Sequence, residues 1–367
     1  MLTKKKLLSG VVAACMGLSL SLASAPVAEA GIFESVLNIG GAVLSMEQYK
    51  AEANKYIEYY NNTEQGRHEL FYGYQKQMGV VEDYDVNVRL DNIMGELLGA
   101  VDQVDGNAYE KPYIYFINQQ QDFNAFCSMG HVVSVNQGLL NLLSSDDEVA
   151  VVIGHELFHG QNNHPEKGMR RTINHQSTAV LANAIAGDTI FTNIVGSLAL
   201  RQANAHYDKE DEWAADNGAF DYMVHTGYNP GATAAVWQRV LDKYGSNAQN
   251  SGDSFFNPSD HPNNEARRDN YEKRLYDYSN KHVRVQNGMV KVNGKDFTKA
   301  APAGGMSGAE RTYFVMGNLA AAYHHGDADA KAYVSDGTVM LGNQDIITPV
   351  EGDEPAEVLA KRLNAIK

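Results

Sequence analysis

Between Val149 and Asn162 the chain reads VAVVIGHELFHGQN, an apolar helix that carries ionisable side chains at His155, Glu156 and His159. Val149, Val151, Val152 and Ile153 mark a helix meant for the interior, where the three polar groups would be costly to desolvate without partners. Histidines at i and i+4 project from one helical face about one turn apart and can offer ring nitrogens to a single ion. Glu156 lies beside that face, close enough to exchange a proton with a water there. One cation satisfies all three groups together, whereas a structural core would need a separate partner for each. Ser145-Asp146-Asp147-Glu148 precedes the apolar run with S-x-x-E spacing and predicts a capping box, the serine serving the amides and Glu148 reaching back.

A zinc site of this kind takes three protein ligands and keeps a fourth position open for water. The histidine of an HExxHxxGxxH pattern is absent, because Pro165 stands in its place and Asn162 in that of the glycine. A carboxylate on a later helix is the alternative, and Glu212-Trp213-Ala214-Ala215-Asp216 places two on one face at i and i+4. Ala214 and Ala215 are small enough to let that helix approach another closely. Glu212 is read as the third ligand of one Zn2+ per chain. Asp216 is read as the acceptor that takes the other ring N–H of a ligand histidine and so fixes its tautomer. The competing reading is a solvated acidic face, since Asp208, Glu210 and Asp211 lie nearby; the first motif favours the metal.

The first thirty residues have the form of a secretory signal. Lys4, Lys5 and Lys6 precede an apolar stretch from Leu7 to Ala23, and Ala28-Glu29-Ala30 is a small-x-small exit. The expectation is cleavage after Ala30 and an exported protein, periplasmic or extracellular. The small-residue exit argues against a retained membrane anchor. Val12-Ala13-Ala14-Cys15 resembles a lipoprotein processing box, but the apolar run before Cys15 is short and continues beyond it. Cleavage would shift the formal charge from -15 to -17 and leave Cys127 alone, which removes intramolecular disulfides. So acidic a surface repels polyphosphates and anionic lipid, which argues against nucleic-acid partners. Residues 177–200 are the most hydrophobic stretch beyond the signal, yet Asn183, Asp188 and Asn193 interrupt them and Gly187-Asp188 reads as a turn. Two short buried helices fit better than a transmembrane span.

Elsewhere residues 32–60 read as helical, and Val86, Leu90, Ile93 and Leu97 share one helical face. Tyr113–Ile117 and His131–Asn136 read as strands. Further helices are expected over Ala203–His225 and Asn263–Asn280. From residue 281 onward the pattern changes. Val283–Val292 alternates around Asn287-Gly288, and Val334–Leu341 repeats this 49 residues later around Asp336-Gly337, with Asp296 echoed by Asp345. A helix from Ser307 to His325 lies between the copies, and Pro355–Lys367 forms a short amphipathic helix expected to dock on them.

Four separated blocks resemble the zinc metallopeptidases of the HtpX, CAAX-prenyl-protease and Oma type, metallopeptidase family forty-eight, over roughly residues 64–275. Asn124-Ala125-Phe126 with Gly130 and Val132 to Leu140 resembles the family's NAF-x-x-PGG-x-x-x-V-x-x-GLL block. His155-Glu156-x-x-His159 with His164 resembles its HE-x-x-H-x-x-x-x-H helix. Tyr207 through Glu212 to Asp216 is similar to Y-S-R-x-x-E-x-x-A-D, and His261-Pro262 with Arg267 to HP-x-x-x-x-R. Met129 and His131 replace the usual proline and second glycine, and Asp208 and Lys209 the usual serine and arginine; the metal and base positions are intact. No flanking transmembrane helices of the HtpX type are evident, so the chain resembles the soluble exported branch, which includes periplasmic members attending to outer-membrane assembly.

The resemblance implies an α+β fold: a mostly helical, zincin-like (gluzincin) peptidase domain over residues 31–280, with a small sheet at its cleft. A hairpin-rich αβ appendage over 281–367 would follow. It implies that His131–Asn136 is an edge strand onto which a polypeptide substrate adds as a further strand. It also implies a zinc endopeptidase with Glu156 as general base. His261 would be a second donor to the oxyanion, or else a turn residue before Pro262; Arg267 would support the site through a salt bridge. Cys127 reads as a small buried apolar residue rather than a nucleophile. His131 stays open between a surface histidine and an extra ligand, and His164 has no assigned role. The expected substrates are misfolded or unassembled envelope or secreted proteins, with an envelope-assembly partner reached through the appendage. The alternative is a latent protease acting mainly as a client-binding, chaperone-like protein.

Overall fold

The computed structural model describes residues 46–143, 145–175, 209–245 and 263–367. The signal read at 1–30, the start of the 32–60 helix, the helices read at 177–200 and His261 lie outside the described residues. The first helices are α1 (Met46–Asn62), α2 (Glu64–Met78) and α3 (Tyr84–Asp105). Thr63 caps α2 by accepting the Gly66 N–H, and Asp83 caps α3 by accepting that of Val86. The apolar stripe of α3 turns Leu90, Ile93 and Leu97 into the core, as their spacing predicts.

Three short strands follow: β1 (Ile114–Asn118), β2 (Ala125–Ser128) and β3 (Val132–Asn136). Their order is β1-β3-β2, with β1 parallel and β2 antiparallel to β3. The segment expected at the edge is therefore the central strand, a correction with a clear physical cause. Every residue of β3 is buried, both of its edges are paired, and its two faces are covered. Phe116, Phe126 and Val132 face α1 and α2, while Ile117, Cys127, Val133 and Val135 belong to the main core. Among the described residues, the edge strand beside the HELFH helix is β2. It turns into β3 through Met129-Gly130-His131, where Gly130 and His131 both take positive φ (74° and 56°). Asn61 Oδ1 accepts the Gly130 N–H at 2.8 Å and Arg67 Nε donates to the Gly130 carbonyl at 2.6 Å, which pins the turn.

After the short α4 (Gln137–Leu142) comes the central helix, α5 (Asp146–Gln161), followed by α6 (His164–His175). Helices α7 (Lys209–Met223), α8 (Ala232–Tyr244) and α9 (Asn264–Tyr278) complete this part. Helix α5 packs against α3, α7, α8 and β2, so nearly all its residues are buried. Its acidic first turn complements the helix dipole. The predicted capping box does not form. Ser145 is the N-cap residue, but its hydroxyl donates to Asp147, and Glu148 is drawn inward to a bidentate pair with Arg239 at 3.0 Å. Helix α7 crosses α5 closely at Gly218 and Ala219. A Cβ on Gly218 would stand 1.8 Å from Phe158 Cδ2, so only glycine permits this approach.

Residues 283–298 form the meander β4 (Val283–Gln286), β5 (Met289–Val292) and β6 (Lys295–Thr298). Residues 332–347 form a second, β7 (Ala332–Ser335), β8 (Thr338–Leu341) and β9 (Gln344–Ile347), with every strand boundary 49 residues on. The bulges at Val290/Lys291 and Val339/Met340 keep the same offset. Both first hairpins turn on paired positive-φ residues, Asn287-Gly288 and Asp336-Gly337. Helix α10 (Gly308–His324) starts on a capping box formed by Ser307 and Glu310, and α11 (Ala356–Ile366) packs on β6, β7 and β8. Helix α10 packs on α8 and α9, so one apolar cluster runs from α3 to α11 without a break at residue 280. Arg239 of α8 lies between Glu148 of α5 and Glu310 of α10, whose Oε1 is 3.3 Å from its Nε.

Candidate metal centre

The i, i+4 spacing on α5 brings His155 Nε2 and His159 Nε2 to 3.0 Å of each other. Gly218 and Ala219 let α7 come close enough to deliver Glu212 between them. Its Oε2 lies 3.5 Å from His155 Nε2 and its Oε1 3.5 Å from His159 Nε2. All three side chains are buried, and they form a donor group able to hold a metal ion. A tetrahedral ion with bonds of about 2.1 Å sets its ligand atoms about 3.4 Å apart. The three observed separations bracket that value. Two imidazoles and a carboxylate suit zinc by chemical type as well.

Asp216, one turn along α7, accepts from His155 Nδ1 at 3.1 Å. Once His155 gives up its Nε2 proton, the resulting lone pair faces the shared centre. Asp216 is held in turn by Arg267 of α9, whose Nε donates at 2.7 Å and whose Nη2 makes a second bond, and by the Tyr271 hydroxyl at 3.2 Å. The Arg267 guanidinium lies 3.6 Å above the centroid of the Trp237 ring. Burial alone would raise the Asp216 carboxyl, but Arg267 and His155 outweigh it and hold the group below the usual carboxylate range. Burial likewise pulls His155 down, yet its bonds to Asp216 and Glu212 win and raise the ring to about 9.

Glu156 faces β2 from the same helix. Its Oε2 accepts the Cys127 backbone N–H at 2.9 Å. Burial pushes its carboxyl up to about 7, with Glu212 adding to the rise and His155 opposing it. Cys127 itself is fully buried, and burial beside Glu156 raises its thiol well above the ordinary value.

The sequence-predicted residues His155, His159, Glu212, Glu156, Asp216 and Arg267 are thus brought together. His131 is neither a surface residue nor part of this cluster. It is buried, stacked on Tyr113 at 4.3 Å, with Nδ1 2.8 Å from the Lys111 carbonyl. Burial and the nearby Lys111 lower it to about 3, so it stays neutral. Tyr271 was not anticipated, although its i+4 offset from Arg267 was a readable signal. His164 also joins the cluster, its Nδ1 2.9 Å from His159 Nδ1.

Comparison with known proteins gives the same family as the blocks. The profile of Peptidase family M48 matches residues 87–275. Metalloprotease LoiP of Escherichia coli K12 is 27% identical over 136 residues, which are 36% of this chain and 54% of that protein. Mitochondrial metalloendopeptidase OMA1 of Arabidopsis thaliana is 28% identical over 125 residues, 34% of this chain and 25% of its own length. The Beta-barrel assembly-enhancing protease of E. coli K12 is 23% identical over 148 residues, 37% of this chain and 30% of its own. The chain spans about half the length, or less, of these curated relatives. Among the described residues, no helix is long and apolar enough to cross a membrane.

Proposed function

This chain belongs to peptidase family M48, and from that premise we propose that it is a zinc-dependent endopeptidase of gluzincin type acting on misfolded or unassembled envelope or secreted polypeptides. The observation that carries the reading is the convergence of His155, His159 and Glu212 on one buried centre with Glu156 on the same helix. These three residues would hold the ion. Zinc bound there supplies Lewis acidity, polarising the scissile carbonyl and lowering the pKa of water towards neutrality.

The chain's own residues do the rest. Asp216, clamped by Arg267 and Tyr271, keeps the lone pair of His155 Nε2 aimed at the centre. Glu156, with a carboxyl near 7, takes a proton from the attacking water and delivers it to the leaving amine nitrogen. The Cys127 N–H holds the Glu156 carboxylate in place by one oxygen. The edge of β2 away from β3 is where an extended substrate adds as a further strand, supported by β3 being the one strand paired with β2 among the described residues. His261 is retained from its sequence block as the second donor to the oxyanion. Export to the periplasm or outside the cell rests on the signal-like first thirty residues, and an assembly partner on the duplicated meanders of 281–367.

The test is cleavage of unfolded casein by the purified chain. The reading expects cleavage that a chelator abolishes and stoichiometric zinc restores; cleavage indifferent to chelation overturns it.

A further inference from the structure

We infer that His164 is a positioning residue, which holds His159 in its metal-binding tautomer through a relay that ends on Asp211. Helix α5 ends at Gln161, Asn163 takes φ 52°, and α6 restarts at His164. That sharp reversal folds His164 back against the ligand face of the helix it has just left. The two rings meet edge-on, with centroids 5.0 Å apart, and their Nδ1 atoms are 2.9 Å apart. At that distance one nitrogen donates and the other accepts.

The neighbouring groups decide which. His164 Nε2 faces Asp211 Oδ1 at 3.4 Å, an ion-pair separation rather than a hydrogen bond; the carboxylate attracts an N–H there and repels a lone pair, so it favours the His164 proton on Nε2. Its Nδ1 therefore presents a lone pair and takes the Nδ1–H of His159. His159 Nε2 is left with its lone pair on the centre that it shares with His155 and Glu212. Arg171 anchors the far end, its Nη2 2.9 Å from Asp211 Oδ2. With the opposite tautomer, His159 would aim a proton at the ion. The two histidines are thus backed differently. His155 meets a carboxylate directly, and His159 reaches one through a second imidazole.

This inference rests on the metal reading above, and the experiment separates the two. Zinc affinity of the full chain is measured by competition with a chromophoric chelator, beside the visible spectrum of the cobalt-substituted protein. His164→Leu removes the acceptor and is expected to weaken zinc binding 10–100-fold and to alter the cobalt spectrum. His164→Asn keeps an amide oxygen close to where Nδ1 stood and is expected to hold affinity and spectrum near those of the parent chain. Equal affinity in His164→Leu, or equal loss in both variants, overturns the relay. If His164→Leu does not fold, Asp211→Ala carries the test, with a several-fold loss expected and unchanged affinity overturning the inference. A parent chain that binds no zinc overturns the metal reading and the relay with it.

Discussion

Replacing Arg267 by methionine removes the guanidinium that clamps Asp216 while keeping an unbranched side chain over Trp237. Arg267 is 1% exposed and Asp216 fully buried, so solvent screens their pair hardly at all. Breaking a buried pair from one side leaves an uncompensated charge and costs about 3–5 kcal/mol. At about 2–4 °C per kcal/mol for a domain of this size, the melting temperature should fall by about 6–20 °C. The pH dependence carries a second signature. In the parent chain the Asp216 carboxyl is held low, burial being outweighed by Arg267 and His155. Its stabilisation is therefore present above the unfolded carboxylate pKa and lost as pH falls through the lower folded value. Without Arg267 the burial contribution dominates and the folded value climbs, so stability from this group is present in acid and lost as pH rises. The Arg267→Met penalty should thus be larger at pH 7 than at pH 4.5. Urea unfolding of the metal-free chain at both pH values measures it without a contribution from bound metal. A penalty under 1 kcal/mol at pH 7, or one equal at the two pH values, would refute the clamp.

Three further outcomes follow from the same geometry. Burial pushes the Glu148 carboxyl up to about 6 despite its bonds to Arg239. The stability it contributes is present below the unfolded value and lost as pH rises through 6, so Glu148→Gln should cost roughly 1–2 kcal/mol less at pH 7 than at pH 5 in urea unfolding; a penalty that grows with pH contradicts this. Because His155 is raised to about 9 in the metal-free chain, zinc must displace a proton. Calorimetry in buffers of different ionisation enthalpy should show proton release at pH 7 and an affinity that climbs towards pH 9, whereas pH-independent affinity would count against the site. Buried beneath α5 with a raised thiol, Cys127 should resist iodoacetamide at pH 8 until the chain is unfolded; peptide mapping that finds it labelled in the folded protein excludes this packing.

How much of this was legible in the sequence depended on whether a feature was local or tertiary. The i, i+4 pairs His155/His159 and Glu212/Asp216 are fixed by helical geometry alone, so spacing sufficed to find them. Asn287-Gly288 and Asp336-Gly337 announce hairpins for the same local reason. The edge strand was misplaced because pairing order is a tertiary fact, although the unbroken burial of Val132–Asn136 has a sequence counterpart in its apolar residues. The capping box at Ser145 failed to form because Arg239, 91 residues away, competes for Glu148 with a charge-assisted bidentate bond. His164 was visible as a residue but not as a partner of His159, because its position depends on the positive φ of Asn163.

The central claim is that Glu156 moves the proton in a reaction supported by a metal on His155, His159 and Glu212. Glu156→Gln keeps the side chain's size and leaves all three donors untouched. Zinc content and casein cleavage should be measured on the same preparation, beside the parent chain. The account predicts one zinc per chain in both proteins and no cleavage by the variant. Cleavage at the parent rate by Glu156→Gln with its zinc retained would contradict it.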